Sequence, residues 1–308
     1  MQSSLDGPAK YGRSAQWERI NRTQITADAV STLAGFKANE VNFKLALWDP
    51  RVNGVRYLKT LIHHLGMNLS AQNLDRLRRT ANRDVGDPIA VRCQGERMCL
   101  DYLQAVFELD FIAGQLPLDG ARVLEIGAGY GRTCHLLLSN ADIEAYHIID
   151  LDNSLSLART YLGAVLTPEQ LAKVTFTRID DVDRVTAAQR FDLCLNVDSF
   201  AEMDAATVHQ YLDLIDRTCR YLYVCNPVGK YLDKSLDGHA QGEETVALAL
   251  RSGLLRDVID IHDSEVVAAQ SHKFLAAYRP GRDWHCLASQ RAVPWSFYWQ
   301  ALYARAAS

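Results

Sequence analysis

Val123-Leu124-Glu125-Ile126-Gly127-Ala128-Gly129-Tyr130-Gly131-Arg132 is the stretch on which the reading of this chain turns. An apolar, strand-forming run enters a loop with glycines at 127, 129 and 131. Glycine permits a sharp backbone turn and lets a ligand lie against the main chain without a Cβ in the way. A dinucleotide fingerprint of the GxGxxG type needs glycine at 132, and the residue there is arginine. The pattern is instead Glu-x-Gly-x-Gly-x-Gly.

Outward from this loop the texture is regular. Strand-like runs at 122–127, 145–151, 174–179, 191–197 and 221–226 alternate with helical stretches at 130–140, 154–163 and 204–220. The runs are almost continuously apolar, as in a parallel sheet covered on both faces. Alternation of this kind predicts an α/β fold with a doubly wound, Rossmann-like sheet. Beyond 228, helices are expected at 243–252 and 263–278, and aromatic-rich strands at 285–290 and 297–304 complete the sheet. Residues before 117 read differently. Helical spacing covers 57–65, 71–82 (with Ser70 as cap) and 99–116, and a loop at 83–97 carries one short strand at 89–92. Two domains are therefore expected, a mainly helical lid or substrate domain at 1–116 and the sheet domain at 117–308.

Acidic residues close successive strands. Asp150 ends the second, 23 positions after Gly127. A carboxylate there accepts hydrogen bonds from both ribose hydroxyls of a bound nucleoside, in nicotinamide enzymes as in others. Asp180-Asp181 follows the third strand. The fourth ends Asn196-Val197-Asp198-Ser199-Phe200-Ala201-Glu202-Met203. Ligands bind beyond the carboxyl ends of the strands, so Asn196, Asp198 and Ser199 are expected to face one. Asp198 and Glu202 are four apart and share a face if a helical turn starts here. Either is a candidate base for a hydroxyl proton, or an acid placed on a helix dipole. His272 and His285 lie in the C-terminal region expected to wall the pocket and are alternative bases. Arg132, Lys230 and Tyr231 are candidate contacts to a second substrate, whereas His63, His64 and His147 read as helix surface and strand packing.

Composition excludes several classes. The 308 residues are 48% hydrophobic and 23% charged, which is inconsistent with a mainly disordered chain. A net charge of −4 with a pI near 6.1 leaves no basic footprint for nucleic acid. No stretch reaches 18 apolar residues and the opening lacks an apolar signal core, so a cytoplasmic protein without a membrane span is expected. The seven cysteines, an odd number without a C-x-x-C pair, read as free thiols. No His/Asp/Glu group has metal-ligand spacing, the strand-end acids Asp180, Asp181 and Asp198 being the one set to weigh for a divalent cation, and no metal is expected.

The Glu-x-Gly-x-Gly-x-Gly loop resembles motif I of the class I S-adenosylmethionine-dependent methyltransferases. That resemblance implies S-adenosyl-L-methionine as cofactor. The loop Gly127, Ala128, Gly129, Tyr130 and Gly131 would cradle its methionine and ribose portion, and Glu125 would lie near the ammonium. Asp150 and Leu151 would meet the ribose, Asp180 or Asp181 the adenine amino group, and Asn196 the reacting end. The run NVDSFAEM with Tyr211 beyond it is further similar to a family of sugar O-methyltransferases that includes enzymes acting on deoxysugars of bacterial glycoconjugates. EIGAGYGRT (125–133), YHIIDL (146–151), Asp101-Tyr102-Leu103 leading to Glu108, the 42–51 stretch ending Trp48-Asp49-Pro50-Arg51 and the Gly86-Asp87-Pro88 turn also fit, so the likeness covers about 40–230. Asp152-Asn153 departs from it, since a proline-type turn is expected there. The function implied is methyl transfer to a hydroxyl of a sugar or glycoconjugate, with Asp198, Glu202 or His272 as catalytic residue. Methylation of a non-sugar small molecule at O, N or C, and a catalytically inactive cofactor-binding partner subunit, are the rival readings. The partner is a small-molecule or sugar acceptor, and self-association into a homo-oligomer stays open.

Overall fold

The structure, a computed structural model, describes residues 14–28, 34–186 and 189–306. The chain divides into two compact units, Met1–Leu61 and Ile62–Ser308. In the first, α1 (Ala15–Thr23) starts at Ser14, whose side chain accepts from the Trp17 N–H, and α2 (Glu40–Leu45) is capped likewise by Asn39. The turn signal at Trp48-Asp49-Pro50 marks the start of α3 (Pro50–Met67), where proline costs no hydrogen bond.

The second unit begins at Ile62, within α3, and continues with α4 (Ala71–Arg79), which Ser70 caps as expected by accepting from the Asn73 N–H at 3.1 Å. The 83–97 loop holds more order than its composition predicts. Strands β1 (Ala90–Cys93) and β2 (Glu96–Cys99) form a hairpin whose turn residues Gln94 and Gly95 have φ of 50° and 81°. Paired positive φ values match the twist of a tight hairpin. The polar Gln94 masked the turn, and β2 was not anticipated. Next come α5 (Leu100–Ala113), β3 (Arg122–Ile126), α6 (Arg132–Asn140), β4 (Ala145–Asp150), α7 (Asp152–Val165) and α8 (Pro168–Leu171). They are followed by β5 (Val174–Arg178), α9 (Val182–Thr186), β6 (Phe191–Val197), α10 (Ala205–Thr218) and β7 (Cys219–Pro227). The chain ends with α11 (Lys234–Asp237), α12 (Glu243–Ala249), α13 (Ser264–Ala269), α14 (Ser271–Ala277), β8 (Trp284–Arg291) and β9 (Tyr298–Arg305). The single helix expected at 263–278 is two, separated at Gln270.

The sheet has seven strands in the order β5-β4-β3-β6-β7-β9-β8. Strands β3 to β7 pair in parallel, and β9 inserts antiparallel between β7 and β8. This is the doubly wound, Rossmann-like sheet the alternation predicts, with helices preceding it. Leu124, Ile126, Cys194, Leu222 and Val224 face a core completed by Val208, Ile215, Val267, Phe274 and Tyr278 from the helices. The change of sequence pattern at 116/117 is not where the compact units part. Helix α5 buries Tyr102, Leu103, Val106, Leu109 and Ile112, and it lies in the same unit as the sheet.

Candidate functional site

At the carboxyl end of β3, Gly127 turns the chain with φ +77°, and its N–H extends the ladder to the Ile149 carbonyl at 2.9 Å. A Cβ on this residue would overlap the Ser199 side chain. Ser199 is fixed there, donating to the Ile126 carbonyl at 3.0 Å and accepting from Asn196 Nδ2 at 2.6 Å. The turn after β3 is thus packed directly on the turn after β6. Gly129, by contrast, has open space where a side chain would stand. Its N–H donates to Asp150 Oδ2 at 3.0 Å, and the Leu151 N–H donates to Oδ1 at 2.7 Å. Two main-chain donors therefore aim the Asp150 carboxylate across the loop.

A cavity of about 580 Å³ lies over these strand ends. Gly127, Gly129, Asp150, Leu151, Asp198 and Glu202 line it, with Ile126, Ile149, Met203 and Tyr211 supplying apolar surface. Three of its fifteen lining residues are carboxylates, and none is Lys or Arg. A larger hollow of about 790 Å³ shares Ile179, Thr207 and Tyr211 with it and adds Asp180. Asp181 follows on the same 3₁₀ turn, Ile179–Asp181, and is not among the residues lining either.

Several predicted site residues lie behind the cavity instead of in it. Glu125 is 2% exposed, and its carboxylate accepts from the Tyr146 hydroxyl at 2.8 Å. Burial pushes its pKa up to about 7, against the opposing effects of the Tyr146 hydrogen bond and the Arg132 charge. Asn196 is fully buried and satisfied by the Ile126 carbonyl, Ser199 and the Asn226 amide. It is a strut between strands, because its side chain falls on the inward side of the pleat. Tyr130 turns away from the cavity, donating to Asp101 on α5 at 2.5 Å and meeting the Tyr161 ring edge-on. Ala128 contributes its carbonyl to the turn, accepting from the Gly131 N–H at 2.9 Å. At Gly131, which opens α6, a Cβ would press into Leu162.

The predicted second-substrate contacts are also committed elsewhere. Arg132 pairs with the buried Glu108 at 2.8 Å and donates to the Asp101 carbonyl, since an unpaired guanidinium at this depth would be costly. Lys230 donates to the Ala201 carbonyl at 3.0 Å and to Ser252, and so clamps the turn after β6. Tyr231 packs on Phe297. His272 is exposed on α14 and is not among the residues lining the cavity. His285 lines a groove with Arg122, Phe191 and Cys219, at the amino ends of the strands, opposite the glycine loop. His147 packs within the sheet, bonded to Thr177 at 2.6 Å. Among the described residues no group of three or more His, Cys, Asp or Glu side chains is placed to hold a metal ion.

Asp198 has the most unusual placement. Its φ of +66° is rare for a residue with a side chain, and its N–H donates to the Cys225 carbonyl at 2.8 Å. A 3₁₀ turn, Ser199–Ala201, follows where a helix face was anticipated, so Asp198 and Glu202 reach the cavity from the two ends of one tight turn. Partial burial and then the Asp198 charge raise the Glu202 pKa, with Lys230 opposing. Sequence reasoning missed Tyr298, the first residue of β9, whose hydroxyl donates to Asp198 Oδ1 at 2.6 Å. The one signal for it was the aromatic density of 295–303.

No family model matches the chain, and no curated protein matches it either. Among solved structures it is similar to the methyltransferase domain of bacterial CtHen1, at 13% identity over 65% of this chain and 98% of that one, with a TM-score of 0.48. It is similar to the pyocyanin biosynthetic protein PhzM, at 17% identity and a TM-score of 0.42 over 65% of this chain, and it spans about half (54%) of PhzM's length. It is also similar to magnesium protoporphyrin IX methyltransferase from Synechocystis PCC 6803 with bound SAH, at 13% identity over 77% of this chain and 95% of that one, with a TM-score of 0.44. Likeness at this level assigns no activity, which lives in the site and not in the fold.

Proposed function

We propose that this protein is an S-adenosylmethionine-dependent O-methyltransferase whose acceptor is a hydroxyl of a sugar or glycoconjugate. The observation that carries the reading is an acidic cavity without a basic lining residue, set over a glycine turn with open space at Gly129. A cationic nucleoside suits that lining better than a dinucleotide with its pyrophosphate, whose third-glycine position is here the buried, paired Arg132.

The residues present fit such a cofactor. Gly129 leaves its approach clear, and Asp150, pre-aimed by two N–H donors, retains lone pairs for ribose hydroxyls. Asp180, in the adjoining hollow, is the choice for the adenine amino group. S-adenosylmethionine supplies a methyl carbon that leaves sulfur, with the bonding pair retained on sulfur, when an oxygen attacks it. Asp198 accepts the proton of the acceptor hydroxyl as that oxygen forms its new bond to carbon. Glu202, whose carboxyl holds its proton to higher pH through partial burial and then the Asp198 charge, shapes the rim. Holding donor and acceptor in line provides the bulk of the rate gain.

Titration calorimetry with S-adenosylmethionine, S-adenosylhomocysteine and NAD tests the cofactor, and the first two are expected to bind and NAD not. Transfer of labelled methyl into sugar-containing fractions then tests the acceptor. Label confined to a non-sugar product keeps the cofactor and replaces the acceptor class, whereas binding without transfer to any acceptor favours a catalytically inactive partner subunit.

A further inference from the structure

We propose that Tyr298 is a positioning residue for this transfer, its phenol holding one oxygen of the Asp198 carboxylate so that the other meets the acceptor hydroxyl. The proposal rests on the reading of Asp198 as proton acceptor given above. Its first support is geometric. The Tyr298 Oη to Asp198 Oδ1 distance of 2.6 Å is that of a charge-assisted O–H···O⁻ bond. Among the described residues this phenol is the one side chain hydrogen-bonded to Asp198. Lys230, the cation nearby, is committed to the Ala201 carbonyl and Ser252.

The second support is that Tyr298 is held more firmly than the group it would hold. Its backbone pairs with Pro227 on β7, its carbonyl accepts from the Ala292 N–H at 2.8 Å, and its neighbour Phe297 accepts from the Val228 N–H at 3.0 Å. Its ring lies edge-on to Phe297 at 5.0 Å and tilted against Trp295. Asp198, at a positive φ between a strand and a 3₁₀ turn, lacks the rotamer restraint that a regular element imposes. A rigid donor on β9, the second strand over from β6, supplies it. Burial, then the Asp198 charge, hold the phenol protonated, so Tyr298 acts as a donor and not as the base.

The test compares kcat, acceptor KM, cofactor Kd and unfolding midpoint for the wild type, Tyr298→Phe, Asp198→Ala and the double variant. Tyr298→Phe is expected to lower kcat about 10- to 100-fold, the usual worth of a hydrogen bond to a charged group, with cofactor Kd and midpoint retained. In the Asp198→Ala background the same change is expected to cost nothing further, because Tyr298 acts through Asp198. A fluorotyrosine at 298, which keeps the donor, is expected to restore kcat. Additive losses in the double variant, or a Tyr298→Phe effect carried by midpoint or cofactor Kd, overturn the positioning role. A crippled Asp198→Ala beside an unimpaired Tyr298→Phe defeats the proposal alone. An unimpaired Asp198→Ala, or a wild type that methylates no hydroxyl, defeats the underlying reading and the proposal with it.

Discussion

The floor and the wall of the cavity are built in opposite ways. The floor is local: β3, its glycine turn and the tip of β4 occupy residues 122–151, and Asp150 is aimed by N–H groups of Gly129 and Leu151. The wall is assembled from afar, for Asp198 and its partner Tyr298 are 100 residues apart and meet because β9 inserts beside β7. A local floor is specified by a short motif that any member of a superfold shares. A wall built through strand register is free to vary.

This contrast is open to direct attack. The largest effect expected is on the wall: Asp198→Ala should lower kcat by about 10²- to 10⁴-fold while cofactor affinity holds, as steady-state kinetics beside calorimetry will show. Beneath the floor, Glu108→Ala leaves the buried Arg132 unpaired and should destabilise the fold by about 3–5 kcal/mol in denaturant titration. On the floor itself, Asp150→Ala should weaken S-adenosylmethionine binding about 10- to 100-fold without altering the unfolding midpoint, the reverse of the Asp198 pattern.

A smaller, pH-dependent effect marks the group below the floor. Glu125 has a folded pKa near 7 against an ordinary 4.5, so the folded state binds more protons than the unfolded one between these values. Its contribution to stability therefore falls as pH rises from 4.5 to 7. Buried His135, lowered to about 4, works in the opposite sense, losing stability as pH falls below 6.5. Glu125→Gln compared with wild type cancels the His135 contribution, and the variant's midpoint should gain on the wild type as pH rises through that window. The smallest effect is expected at His272, exposed on α14, where replacement by asparagine should leave kcat unchanged.

These placements show what was legible in the sequence. The sheet, the glycine turn, the Ser70 cap and the carboxylates at 150 and 198 follow from local pattern, because strand ends and turns are written in neighbouring residues. Asn196, Arg132 and Lys230, read from the sequence as ligand contacts, are each bonded to protein groups for one physical reason: a polar residue near a site is also the residue that satisfies buried polar groups there. Asn196 closes the Ile126 carbonyl, Arg132 neutralises Glu108, and Lys230 caps the Ala201 carbonyl. Tyr298 was hidden because its partner is defined by the pairing of β7 with β9, which periodicity does not encode.

Labelled S-adenosylmethionine, incubated with an extract and either wild-type or Asp150→Ala protein, tests the central claim most directly. The account predicts label in a glycan or nucleotide-sugar fraction with the wild type and a marked loss with the variant at limiting cofactor. Binding of the cofactor without label in any hydroxyl-bearing product, or equal labelling by both proteins, would contradict it.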